Sequence, residues 1–289
     1  MNTLIIGSGF GLYCYLPSIY KISKKIFLNI KYIEKINNRD ELKKFLKKII
    51  WYNEKKLILN KIDYLIIAQN PQKQDLNLRK YINIYKPKHL FLEKPISNNP
   101  SNSIKLINFL QNKKIKFSVG FLFKYTLWHN YIQNRLSKDQ KFKIVWHIRY
   151  NNDNKKWKYV HSLGGGLLRF YCIHFIRIFY DLKFFRLNNI DIKKNLCYFD
   201  LSDINNNNII LEVKFSEVDR FYIHYNKKVF YNSVNPFLRK ILKKKDPRIR
   251  VLNKYLNDQI KNSKMNYKYE KKFILFWDKL EKENGNKNF

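Results

Sequence analysis

Apolar runs and amphipathic stretches alternate along the first 120 residues. Thr3–Ile6, Lys25–Tyr32, Tyr64–Ala68, His89–Leu92 and Phe117–Phe121 are short stretches dominated by Leu, Ile, Phe and Tyr, and they predict buried strands. Between them, Asp40–Ile50, Asp75–Tyr85 and Asn102–Asn112 set apolar residues against lysines and asparagines at helical spacing, with Ser101 placed to cap the last. Strand and helix in strict alternation predict an α/β fold with a doubly wound parallel sheet. The pattern changes near residue 140. Lys141–Tyr150, Leu196–Leu201, Ile209–Phe215 and Arg220–Val229 predict longer strands, interrupted by one helix over Leu167–Leu182. That is the pattern of an α+β domain with an open, mainly antiparallel sheet. Asn205–Asn208 reads as a hairpin loop. Helices over Arg248–Asn262 and Tyr267–Lys282 close the chain and are expected to pack back on the first domain. The predicted division is 1–122 and 123–289, without internal repeats.

Composition narrows the class. The 289 residues are 45% hydrophobic, enough for a sizeable core. No apolar run approaches the roughly 18 residues of a membrane span. The start of the chain has neither a basic region nor a small-residue cleavage site, so no signal peptide is expected. Cys14, Cys172 and Cys197 are odd in number and far apart, which fits a reducing cytoplasm and argues against a zinc site; no metal is expected. The net charge of +36 would ordinarily point to nucleic acid. The chain contains a single alanine, Ala68, and is crowded with Lys, Asn, Ile, Tyr and Phe, whose codons are AT-rich. Mutational bias therefore accounts for much of the charge. Only Arg239, Lys240, Lys243, Lys244, Lys245, Arg248 and Arg250 form a dense basic cluster, on a stretch that could make a basic amphipathic helix.

Four motifs carry the chemistry. Gly7-Ser8-Gly9-Phe10-Gly11 follows the first strand and precedes a helix beginning near Leu12. In that context glycines let backbone N–H groups approach a pyrophosphate at a helix N-terminus. Read as G-x-G-x-x-G, the third glycine position holds Leu12 and Gly11 stands one place early, which predicts a slightly displaced helix. Glu93-Lys94-Pro95 closes the strand at His89–Leu92. Proline holds Lys94 extended, where its ammonium can meet a substrate hydroxyl and assist proton transfer. Ala68-Gln69-Asn70-Pro71, with Gln74 beyond, closes the neighbouring strand and offers amide groups at a ligand-binding edge. Farther on, Gly164-Gly165-Gly166 precedes Arg169, Phe170, Tyr171 and His174, with Phe170, Tyr171 and His174 expected on one helix face. Histidine has a suitable pKa to take a proton from an alcohol.

These motifs, with G-F-x-F-K at Gly120–Lys124 and the stretch from Trp157 to His174, resemble the Gfo/Idh/MocA family of NAD(P)-dependent oxidoreductases over essentially the whole chain. The resemblance implies a Rossmann domain followed by an open sheet domain, and hydride transfer between a nicotinamide and a sugar, polyol or sugar-nucleotide hydroxyl. It implies Lys94 and His174 as catalytic residues, with Tyr171 a further candidate. It implies that Gly7, Ser8, Gly9, Phe10, Gly11, Leu12, Ala68, Asn70, Pro71, Gln74, Glu93 and Lys94 bind the cofactor, and that Lys124, Trp157, Arg169 and His174 meet a carbohydrate substrate. The chain departs from the family where an aspartate commonly stands four residues before the histidine. That position is Phe170, and Cys172 replaces a glycine. No acid follows the second strand closely; Asn29 and Lys31 lie there, and Lys31 could meet a 2′-phosphate. NAD and NADP both stay open. A catalytically inactive relative serving as scaffold or sensor is the second reading, and a polyanion-binding protein the third. An exposed sheet face would suit a homodimer or homotetramer.

Overall fold

Six strands pair in parallel, five of them from the predicted apolar segments. They are β1 (Asn2–Ile6), β2 (Lys25–Asn29), β3 (Ile49–Tyr52), β4 (Tyr64–Ile67), β5 (His89–Leu92) and β6 (Phe117–Val119), in the order β3-β2-β1-β4-β5-β6. The computed structural model describes residues 1–54, 58–150, 156–238, 246–262 and 264–283. It divides into two units: Met1–Ser97, Lys105–Gly120 and Lys244–Tyr267 form the first, and Asn98–Ile104, Phe121–Lys243 and Lys268–Phe289 the second, each as far as it is described.

In the first unit β4 and β5 are buried at every position, as strands covered on both faces must be. The chain winds outward from β1 to β3, returns, and winds the other way from β4 to β6. The carboxyl ends of β1 and β4 therefore flank the point where the winding reverses, the place where open α/β sheets bind ligands. The helices are α1 (Leu16–Ile19), α2 (Ile33–Asn37), α3 (Asp40–Lys43), α4 (Pro71–Tyr85) and α5 (Pro100–Asn112), whose first turn is counted with the second unit. The late helix α8 (Pro247–Lys261) belongs here too: it packs on α1, and Tyr255 meets the ring of Phe91 at 6.1 Å.

Three expectations change. The helix predicted over Asp40–Ile50 is helical only to Lys43; Leu46–Lys48 is a 3₁₀ turn, and Ile49 opens β3. The run Ile49-Ile50-Trp51-Tyr52 is β-branched and aromatic, and pairing with β2 outweighs the helical spacing before it. The second apolar stretch stops at Asn29, whose side chain accepts from the Lys31 N–H and caps a 3₁₀ turn over Ile30–Tyr32. Asn99, not Ser101, accepts from the first turn of α5, at Asn102 N–H.

The second unit carries a six-stranded sheet in the order β12-β11-β7-β10-β9-β8. Its strands are β7 (Lys141–Arg149), β8 (Arg186–Lys193), β9 (Leu196–Ser202), β10 (Asn208–Ser216), β11 (Arg220–Tyr225) and β12 (Lys228–Ser233). Only β7 and β10 run parallel; the other neighbours are antiparallel. The strand predicted over Arg220–Val229 is two, because Asn226 and Lys227 adopt positive φ and turn a hairpin. β8 was not expected: RLNNIDIK is a largely exposed edge with little apolar signal. Alternate positions of β9 and β10 are buried, with Phe199 of β9 against Phe179 of α7 (Ile173–Asp181), and Phe123, Trp128 of α6 (Leu127–Gln133), Phe175 and Phe221 of β11 form an aromatic core. The asparagine run does turn the chain, but Asn207 within it is fully buried and bonded to Asp203 and to the Gln140 N–H. The last helix, α9 (Tyr267–Glu283), lies in this unit, where Glu270 bonds Arg177. The two closing helices thus belong to different units. Most of the basic cluster, residues 239–245, lies outside the described residues. No helix among the described residues is long and apolar enough to cross a membrane.

Burial holds three histidines neutral. His89 is pushed down to about 3, and His129 and His161 to about 4. Ser118 donates its one hydroxyl proton to Gln259 and so accepts from His89 Nε2, which assigns that ring's tautomer. In an unfolded chain these rings take up protons near pH 6.5. Below that pH the unfolded state binds more protons, so the stability that the neutral rings supply above about pH 6.5 is lost as the pH falls toward the folded-state values. Thermal midpoints recorded from about pH 7.5 down to about 4.5 should fall, and His89→Gln should make the decline shallower. An unchanged slope in H89Q would remove His89 from the acid response.

Candidate active site

β1 runs straight into the glycine loop. Gly7 has φ +131°, and a Cβ on it would stand 2.2 Å from the Ala68 carbonyl oxygen. Gly11 is packed almost as tightly: its Cβ would lie 3.2 Å from Ile5 Cγ2 and 3.5 Å from Ala68 Cβ. Gly11 therefore allows the close helix–strand approach expected of the third glycine, while Leu12 is buried. The displaced register is absorbed by a π turn over Gly11–Tyr15, in which the Leu16 N–H reaches back five residues to the Gly11 carbonyl. Gly9 differs from both. A Cβ there would meet nothing within 4 Å, and its carbonyl already accepts from the Leu12 and Tyr13 N–H groups at 3.0 and 3.1 Å. Two glycines thus serve packing, and one faces open space beside the first-turn N–H groups of the helix. Lys35 donates to Ser8 Oγ at 3.1 Å, and the Arg248 guanidinium lies 5.0 Å from the Phe10 ring centre.

The end of β5 is held from inside. The fully buried Gln74 on α4 donates to the carbonyls of Glu93 (2.8 Å), Pro95 (3.3 Å) and Ile96 (3.2 Å), and accepts from the Glu93 N–H at 2.9 Å. Its amide, expected to meet a cofactor, instead fixes the turn that presents the half-buried Lys94. Asn70 caps α4 by accepting from the Lys73 N–H, and Pro71 is the first helical residue. Glu93 Oε1 and the Tyr15 hydroxyl are buried around Gly120, neither with a hydrogen bond of good geometry among the described residues. Burial pushes Glu93 up to about 7 against the pull of Lys94. Burial and Glu93 together raise Tyr15 well above the ordinary phenol value. Nearby, burial would raise Asp246, but two bonds from Arg248 at 2.9 and 2.6 Å outweigh it and hold the carboxyl low. Arg248, one of the basic cluster, is therefore already paired.

Beyond β2 and β3, three side chains converge. Asn29 Nδ2 and Lys31 Nζ both donate to Glu54 Oε1, at 2.8 and 2.6 Å. That bond raises Lys31 above its ordinary value.

In the second unit, Gly165 lies against the chain: a Cβ on it would be 2.1 Å from the Trp157 carbonyl oxygen. A π turn over Leu167–Cys172 follows. Its wider winding breaks the expected common face, and the three side chains meet different neighbours. Phe170 packs edge-on to Trp157 at 5.3 Å, Tyr171 edge-on to Trp146 at 5.4 Å, and His174 is buried and stacked on Phe123 at 4.2 Å. Burial, then Tyr159, raises the Tyr171 hydroxyl far above the ordinary range, so it is a poor proton donor near neutrality. Arg169 closes its fork on Glu281 at 2.9 and 2.8 Å and donates to the carbonyls of Asn98 and His161. It holds the π turn to α9. Lys124 is exposed on a 3₁₀ turn over Leu122–Tyr125.

No protein-family profile and no curated protein sequence matches the chain. Solved structures do. WlbA (WbpB) dehydrogenase from Thermus thermophilus, solved with NAD and α-ketoglutarate, aligns over 98% of this chain and 95% of its own with a TM-score of 0.69 at 12% identity. Levoglucosan dehydrogenase, in complex with NADH and levoglucosan, aligns over 100% and 98% with a TM-score of 0.70 at 13% identity. UDP-N-acetylglucosamine 3-dehydrogenase GnnA from Acidithiobacillus ferrooxidans aligns over 97% and 96% with a TM-score of 0.63 at 12% identity. The fold is that of the Gfo/Idh/MocA-type dehydrogenases.

Within that Gfo/Idh/MocA-type frame, several site-edge residues went unread in the sequence. Tyr15 is one aromatic residue among many; only its burial beside Glu93 marks it. Glu54 lies past a strand that reads as helix. Arg248 comes to the glycine loop on a helix far along the chain. Among the described residues no three His, Cys, Asp or Glu side chains are grouped to hold a metal.

The loop glycines should separate cleanly in unfolding experiments. Gly7→Ala forces a Cβ into the Ala68 carbonyl and should cost roughly 3 kcal/mol or more in urea denaturation. Gly9→Ala should stay within about 0.5 kcal/mol of the parent. Equal costs would mean that the loop does not pack as described.

Proposed function

We propose that this chain is an NAD(P)-dependent oxidoreductase that transfers a hydride between a nicotinamide and a hydroxyl or carbonyl of a sugar, polyol or sugar nucleotide. The observation that carries the reading is the glycine loop. It is closed by packing at Gly7 and Gly11, open at Gly9, and set at the reversal point of the parallel sheet. The open Gly9 face suits a pyrophosphate, which would lie along Gly7–Leu12 and take N–H groups between Ser8 and Gly11, because those of Leu12 and Tyr13 already donate to the Gly9 carbonyl. Ala68, Asn70, Pro71 and the Glu93–Lys94 turn would flank the rest of the dinucleotide, and Asn29 and Lys31 its adenosine ribose. When bound, the nicotinamide supplies or takes up the hydride.

The chain's own groups handle the proton. The Lys94 ammonium, carried on the turn that Gln74 clamps, donates a hydrogen bond to the reacting oxygen and exchanges the proton that accompanies hydride transfer. Burial holds the Glu93 carboxyl above the ordinary carboxylate range, against the pull of the neighbouring Lys94. His174 is the second proposed catalytic group. Lys124 and Trp157 are proposed to meet the substrate, whereas Arg169 is a positioning residue. The sugar and sugar-nucleotide dehydrogenases that share the fold support the substrate class, and three buried cysteines, none in a disulfide, suit a cytoplasmic enzyme.

One observation favours a second reading, a dinucleotide-binding relative without activity. Phe170 stands where the family commonly has an aspartate, and its ring, packed against Trp157 and Tyr171, cannot relay a proton.

Cofactor fluorescence and turnover separate the readings. Saturable NADH binding, tolerant of physiological salt, is expected for the parent, and Gly9→Ala should weaken it. Lys94→Ala should bind NADH within about twofold of the parent while NAD reduction with UDP-N-acetylglucosamine, levoglucosan or another responsive sugar falls by roughly 100-fold or more. Full turnover in K94A would overturn the catalytic assignment. Tight NADH binding with no NAD reduction on any sugar would leave the second reading.

A further inference from the structure

We propose that Glu54 makes this site select NAD over NADP, by holding Lys31 and placing a carboxylate where a 2′-phosphate would stand. The inference rests on the dinucleotide reading above. The register puts the three residues at the right edge. Ile5 of β1 pairs with Leu28 of β2, and Leu28 with Trp51 of β3, so Asn29, Lys31 and Glu54 lie at or just beyond the strand ends that adjoin the glycine loop. The loop and this turn adjoin: the Gly7 backbone lies near the hydroxyl of the buried Tyr32.

In sheets of this kind the adenosine ribose reaches the end of the strand next to β1, and an acid there accepts from its hydroxyls. Here the turn after β2 reads Asn29-Ile30-Lys31-Tyr32 and contains no acid. The carboxylate comes from the neighbouring strand instead. Both Asn29 and Lys31 bond the same oxygen, Glu54 Oε1, so Oε2 keeps its capacity to accept from a ribose hydroxyl. A 2′-phosphate brings nearly two negative charges and would face that carboxylate. Lys31 alone would attract the phosphate, but in this arrangement its ammonium is already paired at 2.6 Å. Both side chains are about half exposed, so solvent screens the effect and the discrimination is moderate.

The test titrates the full chain with NADH and NADPH at one fixed ionic strength, following cofactor fluorescence. The parent should bind NADH about tenfold more tightly than NADPH or better. Glu54→Gln removes the charge, weakens NADH and frees Lys31 for a phosphate, so the ratio should move toward NADPH by about tenfold or more. Adding Lys31→Ala to E54Q should remove the gained NADPH affinity with little effect on NADH. A parent that binds both equally or prefers NADPH, or an E54Q ratio within about twofold of the parent, overturns the role of Glu54 and leaves the dinucleotide reading standing. If the parent binds neither cofactor, the dinucleotide reading itself falls, and this inference with it.

Discussion

The ends of β1 and β4 approach so closely that no side chain fits between them at Gly7. The rest of the first unit's site follows from that contact. The Ala68 N–H bonds the Ile6 carbonyl at 2.8 Å, its carbonyl faces Gly7, and its methyl group faces Gly11. Any larger residue at 68 would push the π turn off Ile5 and shift the loop's N–H groups. The chain's only alanine stands here, in a composition that otherwise avoids the residue.

The presentation of Lys94 is a second case of geometry set by buried neighbours. Gln74 binds the backbone of the turn rather than the lysine side chain, so the lysine can change charge without losing its support. Beneath it, Tyr15 and Glu93 form a buried polar pair in low dielectric, where a small change in surroundings has large electrostatic effect. The second unit is built differently. Its candidate residues sit among stacked rings, and Arg169, just after the glycine turn, is tied to Glu281.

Much of this was legible in the residues themselves. β1, β4 and β5 are continuous apolar runs, and only a doubly covered strand has that pattern, so the parallel sheet and the glycine loop at its centre could be read directly. β3 could not. The spacing of DELKKFLKKII continues a helical pattern into residues that pair as a strand, and only the neighbouring β2 decides the outcome. That misreading also hid Glu54, because an acid past the end of a helix has no reason to meet Asn29. Gln74 and Arg169 were correctly singled out as unusual, but a polar residue near a ligand-binding turn looks the same whether it faces outward or inward. β8, polar and at an edge, left almost no signal.

The return of α8 to the first unit has a consequence for how the protein is made. All six strands of the parallel sheet leave the ribosome before the helix that carries Tyr255 onto Phe91 and Gln259 onto Ser118. Until then α1 lacks its partner and part of the sheet's apolar face stays bare. The nascent chain must carry that exposed surface through the synthesis of the whole second sheet. This interval is the natural point for a chaperone to act and for aggregation to compete.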